Sequence, residues 1–167
     1  MAKKPGLSKI DFNFGIGEII PSTKEARIIE GSASKYKVEK ASLTNFKDAL
    51  GKHLDSRLTG VTQFPSNNEV FVFVMQYFVS QTEYHCRDID NMAKTILDVL
   101  KGRFYSDDNQ VKVLLIAKKI EIRRVPQNFA YVAIREIKGE SDIDILRWSG
   151  IERSVTLYQE LKSQGLV

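Results

Sequence analysis

Four aspartates stand in two pairs on either side of one amphipathic stretch. Asp88 and Asp90 flank Ile89, and Asp107 and Asp108 are adjacent, just past Gly102. Between the pairs, Ala93, Ile96, Leu97 and Leu100 fall three or four apart, widened by Met92 and Val99. That spacing predicts a helix over residues 91–101, with Gly102 at the C-terminal cap. Asn91, Lys94, Thr95 and Asp98 fall on the opposite, polar face. Crowded carboxylates resist ionisation unless something cationic compensates them. A hard divalent cation does so well: magnesium takes oxygen ligands and keeps several waters, so two or three aspartates make a suitable incomplete shell.

The same residues have a plainer use. Asp88 or Asp90 can cap a helix N-terminus, and Asp107-Asp108-Asn109 can be a solvated turn. Lys94, one turn after Asp90 and one before Asp98, can make surface ion pairs at spacing four. In a metal site it would instead set a positive charge beside a scissile phosphate, with Asp98 orienting it. Two arrangements favour the chemical reading. An extended Asp88-Ile89-Asp90 turns both carboxylates to one side. The chain also returns through Phe104 and Tyr105, which is expected to bring the acidic pair back to the end of the preceding strand.

Other elements must position these groups. Ile10, Phe12, Phe14 and Ile16 alternate with polar or small residues, the pattern of a half-buried strand. Residues 21–40 are polar and lysine-rich, and are read as a loop or arm. A helix is expected next, capped by Ser42 or Thr44, with Phe46, Ala49, Leu50 and Leu54 on its apolar face. Pro65-Ser66-Asn67-Asn68 marks a turn. The run VFVFVMQYFV over residues 70–79 predicts a central strand covered on both faces. Strands are expected over 111–122 and 129–137, able to pair as a hairpin, and a weaker helix from Gly150 onward. The order points to an α+β fold, a single domain over residues 1–167 with a mixed β-sheet packed against helices and a C-terminal extension near 141–167.

A chain of 167 residues, 43% hydrophobic and 28% charged, suits one domain with its own core. The formal charge of +4 permits a polyanionic partner without demanding one. Cys86 is the single cysteine, which excludes an intrachain disulfide and suits a reducing compartment. The basic start MAKKPGLSK leads into no apolar run, so no membrane span is expected and the cytoplasm is the default location.

The stretch Asp88-Ile89-Asp90-Asn91 with Lys94, then Asp98, then Asp107-Asp108-Asn109-Gln110 and the strand VKVLLIAKK, resembles the cassette of the RusA family of Holliday junction resolvases. The close likeness covers residues 87–119. Before residue 70 it fades to a looser Ile20-Pro21-Ser22-Thr23, and the tail past Ser141 is extra. The resemblance implies a homodimer that binds four-way junction DNA and cuts two strands by paired, magnesium-dependent hydrolysis, with manganese able to substitute. It implies that Asp88, Asp90 and Asp108 are catalytic and hold the metal, with Asp107 either a supporting ligand or a residue that braces the ligands, and that Lys94 is the catalytic lysine. Asn91, Asp98 and Gln110 then support the site.

The remaining basic residues are read against ordinary surface charge. Arg87 and Arg103 flank the carboxylates, and Lys118, Lys119, Arg123 and Arg124 follow; all six are candidate DNA contacts, which give salt-dependent affinity without base specificity. Phe104 and Tyr105 are read as core packing in preference to base stacking. His85 and Cys86, taken as neighbours in a strand, form no zinc set with His53, and Cys86 is read as a small buried side chain. Asp142-Ile143-Asp144 imitates the first motif without its asparagine and lysine, with Trp148 nearby as a packing anchor. A DNA-binding protein of the same fold that does not cut is the alternative to the endonuclease.

Overall fold

The computed structural model describes residues 10–23, 33–122, 126–139 and 162, and within the first helix the side chains only from residue 42. The chain divides into two compact units, Met1–Glu136 and Ile137–Val167. Nearly all of the second lies outside the described residues, and with it the expected C-terminal helix, Asp142-Ile143-Asp144 and Trp148. The first unit is an α+β domain: a mixed sheet with helices packed on it.

Its strands are β1 (Phe12–Ile16), β2 (Val70–Phe78), β3 (Val111–Ile120) and β4 (Phe129–Glu136), in the order β1-β4-β2-β3. β4 runs antiparallel to both β1 and β2, and β2 runs parallel to β3. The expected hairpin of the last two strands therefore does not form. β4 crosses β2 and pairs on its far side, which the long connection after β3 permits. The most apolar strand thus gains a ladder on both edges, and β3 is left at the rim.

The run of β2 is central, but among the described residues it is fully covered on one face and only partly on the other, where Phe71 is buried. Val72, Val74 and Phe78 are fully buried, whereas Phe73, Met75 and Tyr77 on the other face are half-buried. On that second face Tyr77 stacks on Phe129 at 4.7 Å and Phe73 meets Tyr131 at 6.1 Å. One polar residue breaks the buried row. Gln76 is fully enclosed, accepts from the Ile20 N–H (2.9 Å) and donates to the Phe129 carbonyl (3.0 Å). It thereby anchors the segment after β1 to the middle of the sheet, since an enclosed amide must find partners.

The helices are α1 (Ala33–Leu58), α2 (Gln81–His85) and α3 (Ile89–Leu100). α1 starts well before Ser42 and Thr44, which lie inside it and cap nothing. No glycine or proline interrupts residues 33–50, and Ala, Lys and Glu propagate a helix even without an apolar stripe. From residue 42 onward it reaches the core through Phe46, Leu50 and Leu54, while Ala49 is exposed. α2 ends on His85, so His85 and Cys86 are not neighbours in a strand; Ser80 caps the helix by accepting from the Glu83 N–H, and Cys86 just beyond is exposed rather than buried. α3 packs Met92, Ala93, Ile96, Val99 and Leu100 inward, with Leu97 half-buried. Phe104 and Tyr105 are fully buried, as core packing requires. Phe104 meets Phe12 at 5.0 Å and Phe64 at 5.1 Å, and the Tyr105 hydroxyl donates to the Leu97 carbonyl (2.9 Å). Burial first, then the charges of Asp108 and Asp98, push the Tyr105 phenol well above its ordinary range. Among the described residues no helix is long and apolar enough to cross a membrane.

Candidate functional site

Asp88 is the residue from which α3 springs. Its backbone is extended (φ −85°, ψ 129°) and its carbonyl accepts from Met92, but its side chain makes no capping hydrogen bond. Asp90 lies in the first helical turn, so the three residues are not an extended piece. The two carboxylates are brought together differently. The Asn91 amide donates to Asp88 Oδ2 (3.4 Å) and to Asp90 Oδ1 (3.3 Å).

That amide is itself held. Thr23 Oγ1 donates to Asn91 Oδ1 (3.0 Å), and Thr95 Oγ1, one turn on, donates to the Pro21 carbonyl (2.7 Å). The expected polar face of the helix is therefore split. Asn91 (6% exposed) and Thr95 (0%) lie beneath the Ile20–Thr23 segment, while Lys94 and Asp98 face outward. Asp98 does not orient Lys94; it pairs with Lys47 of α1 at 2.7 Å. Among the described residues Lys94 has no ion-pair partner.

The second acidic pair is built otherwise. Asp107 caps a short 3-10 turn (Asp108–Gln110) by accepting from the Asn109 N–H (2.8 Å). Gln110 completes the box, accepting from the Asp107 N–H (2.9 Å), and its amide donates to the Ser66 and Asn68 carbonyls (2.9 and 3.0 Å). Asp108 pairs with Lys101 at 2.9 Å, and this bond, with the nearby acidic charges, raises the Lys101 pKa.

The return through Phe104 and Tyr105 does not bring this pair to the first. β2 and β3 are parallel, so the connection between them must carry the chain from the C-terminal ends of the strands back to the N-terminal ends. α3 makes that journey. Arg87 is fixed beside the end of β3, where Lys118 Nζ donates to its carbonyl (2.6 Å), whereas Asp108 leads into the start of β3. A helix of 12 residues separates the pairs, a span of roughly 18 Å at about 1.5 Å per residue. Among the described residues no group of three or more His, Cys, Asp or Glu side chains is gathered to hold a metal ion. Asp88 and Asp90 remain as a two-carboxylate donor set of the kind magnesium accepts, since it commonly binds through one or two carboxylates and completes its octahedron with water and phosphate.

The candidate DNA contacts have diverse surroundings. Arg103 makes a two-toothed bond to Asp55 (2.7 and 3.0 Å) and donates to the Val99 carbonyl. This clamp lowers the Asp55 pKa. It lies across Gly51, where a Cβ would come within 2.6 Å of the guanidinium. Lys119 pairs with Glu121 at 2.9 Å and stays exposed. Arg87 is half-buried, directly before Asp88. Arg123 and Arg124 lie outside the described residues. Sequence reasoning missed Thr23, Gln76 and Thr95 as supports of the site; the signal available was a buried amide inside an otherwise apolar strand and hydroxyls at each end of the contact.

The first unit is thus a mixed α+β domain whose parallel crossover helix starts on two aspartates. The family model described as endodeoxyribonuclease RusA matches residues 19–127, more than half of the chain, and the chain belongs to that family. The match opens one residue before Ile20-Pro21-Ser22-Thr23, so the likeness extends much further toward the N-terminus than the cassette alone indicated. It closes before β4. No curated protein matches the chain.

Proposed function

We propose that the protein is a magnesium-dependent, structure-specific endodeoxyribonuclease that resolves four-way DNA junctions by paired phosphodiester hydrolysis. One observation carries the reading beyond family membership: Asp88 and Asp90 are held side by side by a buried amide, neither spent on a helix cap, with Lys94 one turn further on and without an ion-pair partner among the described residues. Asp88 and Asp90 are the residues that would hold the metal, manganese being able to replace magnesium. When bound, the ion would lower the pKa of a water and polarise the phosphate. Asn91 keeps the two carboxylates at fixed spacing, and Thr23 keeps Asn91 from turning. Lys94 offers a charge that no carboxylate among the described residues neutralises, suited to a phosphate oxygen as negative charge develops.

Asp108 stands at the far end of α3 in its own protomer. As a third ligand it would serve the Asp88 site only from a second copy, which gives the expected homodimer a chemical reason as well as a geometric one. Cutting two strands of one junction needs two sites, and a two-fold pair supplies them.

The test is cleavage of a synthetic four-way junction in magnesium by the parent and by Asp90→Asn. The parent cuts two strands; Asp90→Asn binds the junction at least as tightly, one repelling charge having been removed, but cuts at least a hundredfold more slowly. A parent that binds without cutting makes this a junction-binding protein, and Asp90→Asn cutting at the parental rate removes Asp90 from the chemistry.

A further inference from the structure

The three lysines of β3 differ in one respect. Lys112 and Lys119 face outward and pair with Glu69 (3.1 Å) and Glu121 (2.9 Å). Lys118 is half-buried and turned toward the chain before Asp88. Its ammonium donates to the Tyr84 carbonyl (2.8 Å) and the Arg87 carbonyl (2.6 Å), and lies 4.3 Å from the centroid of the Tyr84 ring. An ammonium has three N–H bonds and no acceptor, so two carbonyls and an aromatic face account for its whole capacity.

We propose that Lys118 is a positioning residue for the Asp88 carboxylate. The proposal rests on the nuclease reading of Asp88 given above. The Arg87 carbonyl belongs to the peptide plane that ends at the Asp88 Cα, so fixing that oxygen restrains the atom from which the Asp88 side chain departs. Tyr84 relays the restraint to the core: its ring stands edge-on to Phe78, the last residue of β2, at 5.7 Å and 90°. Asp88 has no cap bond of its own, and its contact with Asn91 is 3.4 Å long. The short Lys118 bonds therefore hold the backbone on one side of the carboxylate, and Asn91 holds the side chain on the other. A phosphate contact by Lys118 would require those bonds to break.

The test uses the full chain with Lys118→Met, which keeps an apolar stem and removes the charge and donors. Three quantities are read below the melting temperature: manganese affinity of the free protein by electron spin resonance, the magnesium midpoint of junction cleavage, and the salt dependence of junction binding. Loss of a support behind a metal ligand commonly weakens the metal by about 10–100-fold. The expected result is manganese binding about tenfold weaker, a magnesium midpoint raised by a similar factor, and an unchanged salt slope. A slope shallower by about one ion, with manganese affinity unaltered, makes Lys118 a phosphate contact and overturns the proposal. A lower melting temperature with manganese affinity unaltered makes it structural only, and overturns it too. Asp90→Asn is the control. Manganese binding that Asp90→Asn does not weaken sinks the metal site itself and this proposal with it, whereas Asp90-dependent binding untouched in Lys118→Met sinks the proposal alone. Should Lys118→Met not fold, Lys118→Arg carries the manganese and magnesium readings, because a planar guanidinium does not sit between the two carbonyls as a compact ammonium does; manganese affinity unaltered in that variant overturns the proposal.

Discussion

The two ends of α3 carry the same residue type in the same number and use it in opposite ways. At the C-terminal end, Asp107 caps a 3-10 turn and Asp108 takes Lys101 as a partner. At the N-terminal end, Asp88 sits where a cap belongs and does not cap, and the nearest cation on the helix, Lys94, pairs with neither Asp90 nor Asp98. Asp107 is thus a cap, and Asp88, at the cap position of its helix, is not one; only the hydrogen bonds distinguish them.

Replacing the cation at each end gives the widest separation. Lys94→Ala is expected to slow single-turnover junction cleavage by roughly a hundredfold, about 3 kcal/mol in the transition state, with the melting temperature held. A rate within twofold of the parent would erase the contrast with Lys101. Next in size is the cap. Asp107→Ala is expected to cost about 1 kcal/mol of stability in denaturant melts, the usual loss for such a residue, and to leave the manganese affinity of the free protein unchanged. A metal effect without a stability loss would move Asp107 to the functional side. The smallest effect belongs to the Lys101–Asp108 pair. Its bond raises the folded pKa of Lys101, so its contribution is complete below the ordinary lysine value of 10.5 and is lost as pH rises through the raised value. Lys101→Met should therefore lower the melting temperature slightly at pH 8, and the difference from the parent should close at strongly alkaline pH. A difference that persists there would mean that the lysine acts through its packed stem and not its charge.

Much of α3 was legible because its apolar spacing is dense: the helix expected over residues 91–101 is found at Ile89–Leu100, with its stripe inward. β1 was legible for the same reason at period two, and β2 as an unbroken run of β-branched and aromatic residues. Strand direction was not, because alternation looks alike in either sense, and direction is what parts the two acidic pairs. The early turns of α1 were missed since a polar helix has no stripe to see. Asn91 and Thr95 were placed on a wetted face because the pattern of one helix cannot show that Pro21 and Thr23 come to lie on it. The motif residues were legible as types and spacing; their relation in space depended on the crossover.

β4 is the last of the described strands in the chain, yet it lies between β1 and β2 in the sheet. Phe12 must wait for Ile134, and the inner edge of β2 for residues 129–136. A chain emerging from the ribosome at about 5–20 residues per second holds those two edges open for on the order of several seconds. Open edges are templates for pairing with other chains. Nascent chains of this protein are thus most exposed to misassociation in the interval between synthesis of Phe78 and of Glu136, and a message cut short in that interval yields a product with an unfilled gap in the middle of its sheet rather than a trimmed rim.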